Sequence, residues 1–265
     1  MELNKIYNMD CLEGMKEIPD GSIDCIICDL PYGTTDCAWD SVIPFEPLWE
    51  QYRRVIKPDG AIVLFCSQPF TSILVTSNIK EFKYCWIWVK NRSTGHVHAK
   101  NKPLKKHEEI AVFSLGTTVH ASQSKNRMKY NPQGLIKTPK GTMRIRNDKG
   151  DDTILAYRKS HHPTPQDYVN YPNSILFYDM VRGETRFHPT QKPVELIRYL
   201  IRTYSNEGDT ILDNCMGSGT TAVAAVMEKR KFIGFETDKE YFDKANKRLR
   251  DLTGPFHIYG NIGNE

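Results

Sequence analysis

A glycine-rich segment late in the chain has the residue types of a ligand-binding turn. Residues 213–221 read Asp-Asn-Cys-Met-Gly-Ser-Gly-Thr-Thr and separate a short apolar strand pattern from a helical pattern. Gly217 and Gly219 stand where the backbone must come close to a ligand. A dinucleotide-binding turn would need a third glycine, and Thr221 occupies that position, which argues against NAD. Two glycines alone are also typical of a structural turn, so the segment needs support from other residues.

That support comes from Glu236, which ends the next predicted strand. At the carboxyl end of a neighbouring strand, an acid can accept two hydrogen bonds from ribose hydroxyls. Glu236 therefore indicates a cofactor that contains a nucleoside, whereas Asp238 is typical of a helix N-cap. A zwitterionic tail on that cofactor would explain Thr220 and Thr221, whose hydroxyls and backbone amides can hold a carboxylate.

A second candidate site, Asp29-Leu30-Pro31-Tyr32, follows an apolar strand pattern at residues 22–28. Proline in this segment forces the chain to turn at the carboxyl end of the strand. Only 52 residues follow Asp213, enough for about two βα units and too few for a doubly wound sheet. The missing strands must come earlier, so we predict that the two halves of the sheet are circularly permuted and that the cofactor half comes last.

The elements that must position these residues alternate between strands and helices. Strands are predicted at residues 22–28, 61–66, 82–89, 109–114, 210–213 and 231–236. Helices are predicted at residues 46–57, 70–79, 193–204, 220–229 and 238–252. This order predicts an α/β fold, doubly wound, with a largely parallel sheet and helices on both faces. The aromatic strand residues Trp86 and Trp88 are expected in the core.

Composition sets the broad class of the protein. With 39% apolar and 26% charged residues, the 265-residue chain suits one large domain with an insertion, and fibrous or disordered classes are excluded. No apolar run approaches the roughly 20 residues of a membrane span, and the amino terminus lacks a signal-peptide pattern, which predicts a cytoplasmic protein. Seven scattered cysteines are expected to be reduced thiols. Cys25 and Cys28 would point to opposite faces of a strand, so we predict no metal site.

Charge is distributed unevenly along the chain. Residues 100–160 contain 14 Lys and Arg against 5 Asp and Glu, whereas the other 204 residues carry 22 against 27. A basic segment rich in amides, hydroxyls and glycine is suited to nucleic-acid phosphates and base edges. A solvated loop would have a similar composition, but the position between two regular halves favours a folded insertion. Its candidate DNA-binding cations are Lys125, Arg127, Arg144 and Arg146.

Together these segments resemble the site-specific DNA methyltransferases that modify exocyclic amino groups, in their permuted, beta-type motif order. Asp29 to Tyr32 is similar to the family's catalytic Asp-Pro-Pro-Tyr, with Leu30 replacing the first proline. Residues 213–221 match Asp-Pro-Phe-x-Gly-Ser-Gly-Thr-Thr except at positions 214–216. Three further segments resemble family motifs: Trp88-Val89-Lys90, His107-Glu108-Glu109-Ile110 and His188-Pro189-Thr190-Gln191-Lys192-Pro193.

The resemblance implies a Rossmann-like methyltransferase sheet in three parts. Residues 1–90 would form the catalytic half, residues 91–172 a basic target-recognition insertion, and residues 173–265 the cofactor-binding half. The implied cofactor is S-adenosylmethionine, and the implied partner is double-stranded DNA. The residues expected at the cofactor are Asp10, Cys11, His188, Lys192, Asp213, Gly217, Gly219, Thr220, Thr221 and Glu236.

The resemblance also implies a reaction. The target base would be flipped out of the duplex, because its amino nitrogen cannot be reached in the stack. Tyr32, after Pro31, would stack on the extruded ring, while the Asp29 carboxylate and the Leu30 carbonyl oxygen accept the two amino hydrogens. The family's cytosine enzymes usually have Ser at the first motif position, so Asp29 favours adenine N6.

Several alternatives stay open at this stage. An N4-cytosine methyltransferase, a noncatalytic DNA-binding relative and an RNA target each fit part of the pattern, as does a role for Asp10 as a helix N-cap alone. His188 and Lys192 would also suit the start of a helix at Pro193. The sequence leaves open the recognition site, a homodimer and a partner restriction enzyme.

Overall fold

Eight strands form a central sheet in the computed structural model, which describes residues 1–33, 41–120, 123–144, 164–181 and 191–253. Numbered in chain order, the first half contains β1 (Lys5–Tyr7), α1 (Cys11–Lys16), β2 (Ile23–Asp29), α2 (Phe45–Val55), β3 (Ile56–Cys66), α3 (Phe70–Ser77), β4 (Phe82–Thr94) and β5 (Lys105–Ser114). The middle contains β6 (Ile136–Lys137), β7 (Met143–Arg144), β8 (Thr164–Pro165), β9 (Tyr168–Val169) and β10 (Ile175–Phe177). The last part contains α4 (Val194–Tyr204), β11 (Thr210–Asp213), α5 (Thr220–Met227), β12 (Lys231–Phe235) and α6 (Lys239–Thr253).

The strand order confirms the predicted circular permutation. The order across the sheet is β1-β12-β11-β2-β3-β5-β4-β10, so the late strand β11 lies at the centre beside the early strand β2. Cys25 on β2 is paired with Ile211 on β11. β5 runs antiparallel to both β3 and β4, and the other pairings are parallel. The sheet is therefore largely parallel, as predicted, with one reversed strand.

Helices cover both faces of this sheet because successive strand residues point in opposite directions. Cys25 and Ile27 belong to the apolar cluster that also contains residues of α4, α5 and α6. Ile26 and Cys28 belong to a second cluster with residues of α1, α2 and α3. Cys25 and Cys28 thus lie on opposite faces, which confirms the sequence argument about their spacing.

The predicted boundary between α2 and β3 is wrong by several residues. The helix ends at Val55, and β3 begins at Ile56, which is paired with Ile23. The pairing then shifts register, so that Cys25 is opposite Ala61. Pro58-Asp59-Gly60, which lies between the predicted helix and the predicted strand, belongs to an irregular stretch of β3.

The chain divides into two compact units, residues 1–131 with 174–265 and residues 132–173. In the second unit, β6 pairs with β9 and β7 pairs with β8, both antiparallel. This unit is shorter than the predicted insertion at residues 91–172. Residues 91–131 lie in the sheet unit, where Met128 is buried in the core and Lys129 forms ion pairs with Asp24 and Asp209.

Buried tyrosines and tryptophans fix the outer part of the sheet against α4. Trp86 and Trp88 are both buried, as expected. The Trp86 indole donates a hydrogen bond to the Tyr204 hydroxyl at 2.6 Å, and the Trp88 indole donates to the Tyr178 carbonyl at 2.9 Å. Among the helices that the structure describes, none has the length and apolarity that crossing a membrane requires.

Candidate active site and cofactor cleft

A cleft of about 600 Å³ opens at the carboxyl ends of the parallel strands. Its floor includes the ends of β2 and β11, the central pair from which the chain continues to opposite sides of the sheet. Ligands of α/β sheets bind at such a switch point, because no crossover covers it. A volume of this size is in the range of small-molecule sites. The cleft therefore joins the two candidate sites that the sequence places 184 residues apart, at Asp29 and Asp213.

The glycine-rich turn after β11 forms one wall. Asp213 is buried and accepts a hydrogen bond from the Cys215 amide at 3.1 Å, while burial raises the pKa of its carboxyl to about 6. Gly219 has φ +73°, and a Cβ there would lie 2.9 Å from the Cβ of Ala245 on α6. Only glycine combines this conformation with this approach. The glycine is thus required for packing of the turn against α6.

Glu236 holds the turn from the neighbouring strand. One carboxylate oxygen accepts a hydrogen bond from the Gly217 amide at 2.7 Å, and the other accepts one from the Asp238 amide at 2.8 Å. Burial raises the pKa of Glu236. Asp238 itself accepts from the amides of Glu240 and Tyr241, as a helix N-cap does. The acid at the end of β12 therefore faces the cleft and connects the turn to α6.

Asn214, which differs from the family motif, forms a hydrogen bond with Tyr52. The Tyr52 hydroxyl donates a 2.5 Å hydrogen bond to the Asn214 side-chain oxygen. The Asn214 amide nitrogen lies 3.6 Å from the sulfur of Cys11 and 3.5 Å from that of Cys215. All these groups are enclosed, so Asn214 satisfies its polar atoms inside the protein. A proline would leave the Tyr52 hydroxyl without this acceptor.

Asp10 caps α1 at the edge of the cleft, on the side of β1 and β12. Its carboxylate accepts hydrogen bonds from the amides of Leu12 at 2.8 Å and Glu13 at 3.2 Å. The N-cap interpretation is therefore confirmed, and Asp10 and Cys11 also line the cleft. Contact of Asp10 with a cofactor stays a prediction.

The catalytic-motif residues lie together at the end of β2. The Tyr32 hydroxyl donates a 2.7 Å hydrogen bond to the Asp29 carboxylate. The Tyr32 ring stacks on Phe70, with centroids 4.9 Å apart and planes 25° from parallel. Leu30 is 4% exposed and packs in the core beneath the motif. Leucine at this position thus adds apolar contact to the core, and the residue also lines the cleft.

Two lysines and two acids form what we call the buried charge network, made of Lys90, Glu108, Lys192 and Asp29. Lys192 donates a hydrogen bond to the Asp29 carboxylate, and its ammonium lies 3.7 Å from a Glu108 oxygen. The other Glu108 oxygen accepts a hydrogen bond from Lys90. Lys90 and Lys192 are 6% and 7% exposed. The network brings together residues from β2, β4, β5 and the segment before α4.

The pKa values in this network follow from burial and neighbouring charge. Burial raises the pKa of Asp29, against the opposing effect of the Lys192 charge. Burial acts in the same sense on Glu108, but Lys192 and Lys90 outweigh it and lower the pKa of this acid. Burial would lower the pKa of Lys192, but the two carboxylates raise it. The lysines therefore favour ionised acids in a desolvated site.

The structure brings most predicted site residues into this one cleft. The predicted residues that line it are Asp10, Cys11, Asp29, Leu30, Pro31, Tyr32, Lys192, Asp213, Gly217, Thr220, Thr221 and Glu236, whereas Gly219 packs against α6. Lys192, expected at the cofactor, lies at the catalytic end against Asp29. His188 and Arg146 fall outside the described residues, as does the side chain of Arg144. Lys125 and Arg127 are exposed and belong to the sheet unit.

Sequence reasoning did not select Lys90 and Glu108 as site residues. Both appear in segments quoted for their family resemblance, Trp88-Val89-Lys90 and His107-Glu108-Glu109-Ile110. A sequence signal could have identified them. Lys90 directly follows one predicted apolar strand, and Glu108 directly precedes the next. Such charges are buried in neighbouring strands only when they are paired.

The fold and cleft define a cofactor-binding α/β protein of the methyltransferase type, and comparison with known proteins agrees. A family model described as DNA methylase (N6_N4_Mtase) matches residues 23–247. Type II methyltransferase M1.MboII of Moraxella bovis is 29% identical, over 95% of this chain and 98% of that protein. DNA adenine methyltransferase YhdJ of Escherichia coli K12 is 29% identical, over 94% of this chain and 83% of that protein.

Solved structures show the same fold. The M1.HpyAVI–SAM complex has a TM-score of 0.60 at 25% identity and covers 92% of this chain and 99% of its own. The cytosine-N4-specific PvuII DNA methyltransferase has a TM-score of 0.63 at 16% identity, over 98% of this chain and 88% of its own. The chain therefore belongs to the N6/N4 DNA methylase family, and its cofactor is S-adenosylmethionine.

The cleft is lined by residues with the hydrogen-bonding groups that this cofactor needs. The glycine turn, Thr220, Thr221 and Glu236 all line it. A nucleoside needs an acceptor for its ribose, and an amino-acid tail needs amide and hydroxyl partners. Residues that carry both kinds of group therefore lie in this one cleft.

Proposed function

We propose that this protein methylates the N6 amino group of adenine within a specific sequence of double-stranded DNA, with the target base flipped into the cleft. The observation that carries the proposal is the Asp29–Tyr32 pair, a carboxylate and an aromatic ring joined by a 2.7 Å hydrogen bond at the cleft. A flipped adenine offers a flat ring and two amino hydrogens. These groups are chemically complementary to Tyr32 and Asp29.

The acceptor amine needs activation, because its lone pair is delocalised into the purine ring. We infer that Asp29 and the Leu30 carbonyl oxygen each accept one amino hydrogen and draw the nitrogen towards tetrahedral geometry. The Asp29 charge then stabilises the positive charge that develops on nitrogen. S-adenosylmethionine would supply an electrophilic methyl group on sulfur, so the protein needs no nucleophile of its own. As the bond from nitrogen to the methyl carbon forms, the carbon–sulfur bond would break and S-adenosylhomocysteine would leave. The amino nitrogen would then lose one proton, which the Asp29 carboxylate can accept and pass to solvent.

Asp29 can stabilise the positive charge that develops on the amino nitrogen only as a carboxylate. Lys192 supports that state, since it opposes the effect of burial on the Asp29 pKa. Each carboxylate oxygen can accept more than one hydrogen bond, so Tyr32 and Lys192 leave acceptor capacity for an amino group. In this proposal Lys192 is a positioning residue that acts through Asp29.

The preference for adenine over cytosine rests on Asp29. The family resemblance associates serine with cytosine at this position, and the sequence has aspartate. The name of the relative YhdJ, an adenine methyltransferase 29% identical over most of both chains, supports the same choice.

We assign the cofactor residues by their place in the cleft. Glu236 would accept the ribose hydroxyls, Thr220 and Thr221 would hold the amino-acid tail, and Asp10 with Cys11 would lie near the adenine. For sequence recognition we propose the basic middle of the chain, with phosphate contacts from Lys125, Arg127, Arg144 and Arg146. A homodimer is compatible with this proposal and is not required by it.

Nucleoside analysis tests the proposal directly. The full chain is incubated with S-adenosylmethionine and plasmid DNA from a methylation-deficient host, and the DNA is then digested and examined by mass spectrometry. We expect N6-methyladenine among the nucleosides, and sequencing of the undigested methylated plasmid should place it in one repeated sequence context. N4-methylcytosine would overturn the adenine assignment, and methylation of single-stranded DNA or RNA alone would overturn the duplex assignment.

A further inference from the structure

A basic hairpin stands at the rim of the cleft, in the sheet unit. Residues 91–107, which we call the β4–β5 hairpin, comprise the end of β4, a connection and the start of β5. They contain five cations and no acid. The cations are Arg92, Lys100, Lys102, Lys105 and Lys106. Among the described residues, none of the five has an acidic side chain within ion-pair distance, and all but the half-buried Lys105 are exposed.

The topology fixes the place of this hairpin. β5 is antiparallel to both β3 and β4, so β4 runs parallel to β3 and β2. The carboxyl end of β4 therefore lies at the same edge of the sheet as Asp29. Lys90 and Thr94 of β4 line the cleft together with Asp29. The hairpin thus begins beside the catalytic residues and extends outward from them.

The tip of the hairpin carries an apolar side chain that is exposed to solvent. Gly95, at φ +87°, turns the chain into a short 3-10 helix at His96–His98. Val97 in that turn is 92% exposed. Val97 lies between His96 and His98 in the sequence, and several lysines follow. Because its side chain is exposed, it contributes no buried apolar surface to the stability of the fold. Cations next to an apolar side chain can bind a DNA duplex from which one base has been flipped out. The cations contact phosphates, and the apolar side chain packs beside the vacated position.

We propose that the β4–β5 hairpin is a DNA-binding element that contacts the duplex beside the extruded base, and this rests on the proposed function. Its lysines contact phosphates, and Val97 packs against the base or sugar edges left exposed next to the vacated position. These contacts are additional to those proposed for Lys125, Arg127, Arg144 and Arg146. They bring the DNA backbone to the catalytic edge of the sheet unit itself.

Salt dependence of DNA binding tests the phosphate contacts. We compare the double variant Lys100→Gln/Lys102→Gln with the control Lys80→Gln/Lys231→Gln, whose exposed lysines lie at the amino ends of β4 and β12. The probe is a fluorescent 24-base-pair duplex of arbitrary sequence. Two lost phosphate contacts should make the log-log salt slope shallower by about 1.8 in the hairpin variant. A slope equal to that of the control would overturn the proposal.

A second pair of variants tests the apolar tip. Val97→Ser should reduce methyl transfer to plasmid DNA about tenfold, the loss expected when one valine side chain no longer becomes buried. The salt slope and the affinity for S-adenosylmethionine should not change. The matched control is Ile79→Ser, which alters an exposed apolar residue near the amino end of β4. Equal transfer by the two variants would contradict the role of Val97.

The wild-type protein distinguishes the two proposals. If it transfers methyl groups to DNA and the hairpin variants match their controls, only the hairpin proposal fails. If the wild-type protein binds no duplex and transfers no methyl group to it, the duplex substrate is wrong, and the hairpin proposal is overturned with it.

Discussion

At the scale of single residues, the central fact is that Asp29 is held from two sides. Tyr32 binds one carboxylate oxygen and Lys192 binds the other. This arrangement fixes the rotamer of the acid and favours its charge before any substrate arrives. Preorganised electrostatics of this kind need no reorganisation during the reaction. The chemistry proposed for Asp29 therefore depends on neighbours that come from distant parts of the chain.

Replacement of the acid should separate binding from chemistry. Asp29→Ala is expected to retain affinity for S-adenosylmethionine and to lose methyl transfer, because the carboxylate acts on the acceptor nitrogen. We expect the same separation for Asp29→Asn, which keeps the shape without the charge. Calorimetry and tritium transfer measure the two properties. Transfer within tenfold of wild type, about 1.4 kcal/mol of barrier, would exclude this role.

The buried charge network predicts opposite pH shifts for two variants. Lys192→Met removes the cation that opposes burial, so the pKa of Asp29 should rise and the acid limb of the kcat profile should move to higher pH. Glu108 raises the pKa of Asp29 by charge repulsion, so Glu108→Gln should move that limb to lower pH. Single-turnover rates across a pH series give both values. Shifts in the same direction would mean that the two residues act only through structure.

At the scale of elements, the glycine turn and α6 depend on each other. Gly219→Ala combines a left-handed backbone with a clash at Ala245, whereas Gly208→Ala has a similar φ of +84° and no atom within 4 Å of the new Cβ. We expect Gly208→Ala to lose about 1 kcal/mol of unfolding free energy from strain alone. Gly219→Ala should lose about 1–3 kcal/mol more, as overpacking does.

Denaturant unfolding of both variants measures this difference, and a second substitution identifies its cause. Adding Ala245→Gly to Gly219→Ala should recover most of the excess loss, because it removes the contacting Cβ. If the two single variants lose equal stability, packing against α6 does not explain this glycine.

The extent to which these elements could be predicted depends on the length of each pattern. The helix α4 has five regularly spaced apolar positions, and its predicted range differs from the structure by one residue. β1 and β10 have three residues each, too few to show a period, and were not predicted. The role of Lys192 was missed for another reason. Its partner Asp29 is 163 residues away, and no local pattern reports such a contact.

At the scale of the whole molecule, the positive charge of the middle segment is shared between two units. Lys125 and Arg127 belong to the sheet unit, while Arg144 lies in the second unit. The sequence pattern grouped these residues by composition, because charge counts along the chain carry no information on packing. The second unit, residues 132–173, thus contains only part of the basic segment identified from the sequence.

This division makes the DNA-binding prediction testable in halves. Lys125→Gln/Arg127→Gln and Arg144→Gln/Arg146→Gln should each make the salt slope shallower by about 1.8, because each phosphate contact contributes about 0.9. Cofactor affinity should be unchanged in both. An unchanged slope in one pair would restrict phosphate binding to the other unit, and an unchanged slope in both would remove these four residues from the DNA interface.

The central position of β11 has a consequence for how the protein is made. β2 is synthesised early, but its partner β11 follows about 180 residues later in the chain. The sequence separation between β1 and its partner β12 is larger still. Until then, a hydrogen-bonding edge in the middle of the future sheet has no native neighbour. Pairings so distant in sequence close slowly and leave aggregation-prone surface exposed meanwhile. During translation this edge therefore stays without its native partner until β11 emerges, and the cofactor cleft, which needs the ends of β11 and β12, can form only after that.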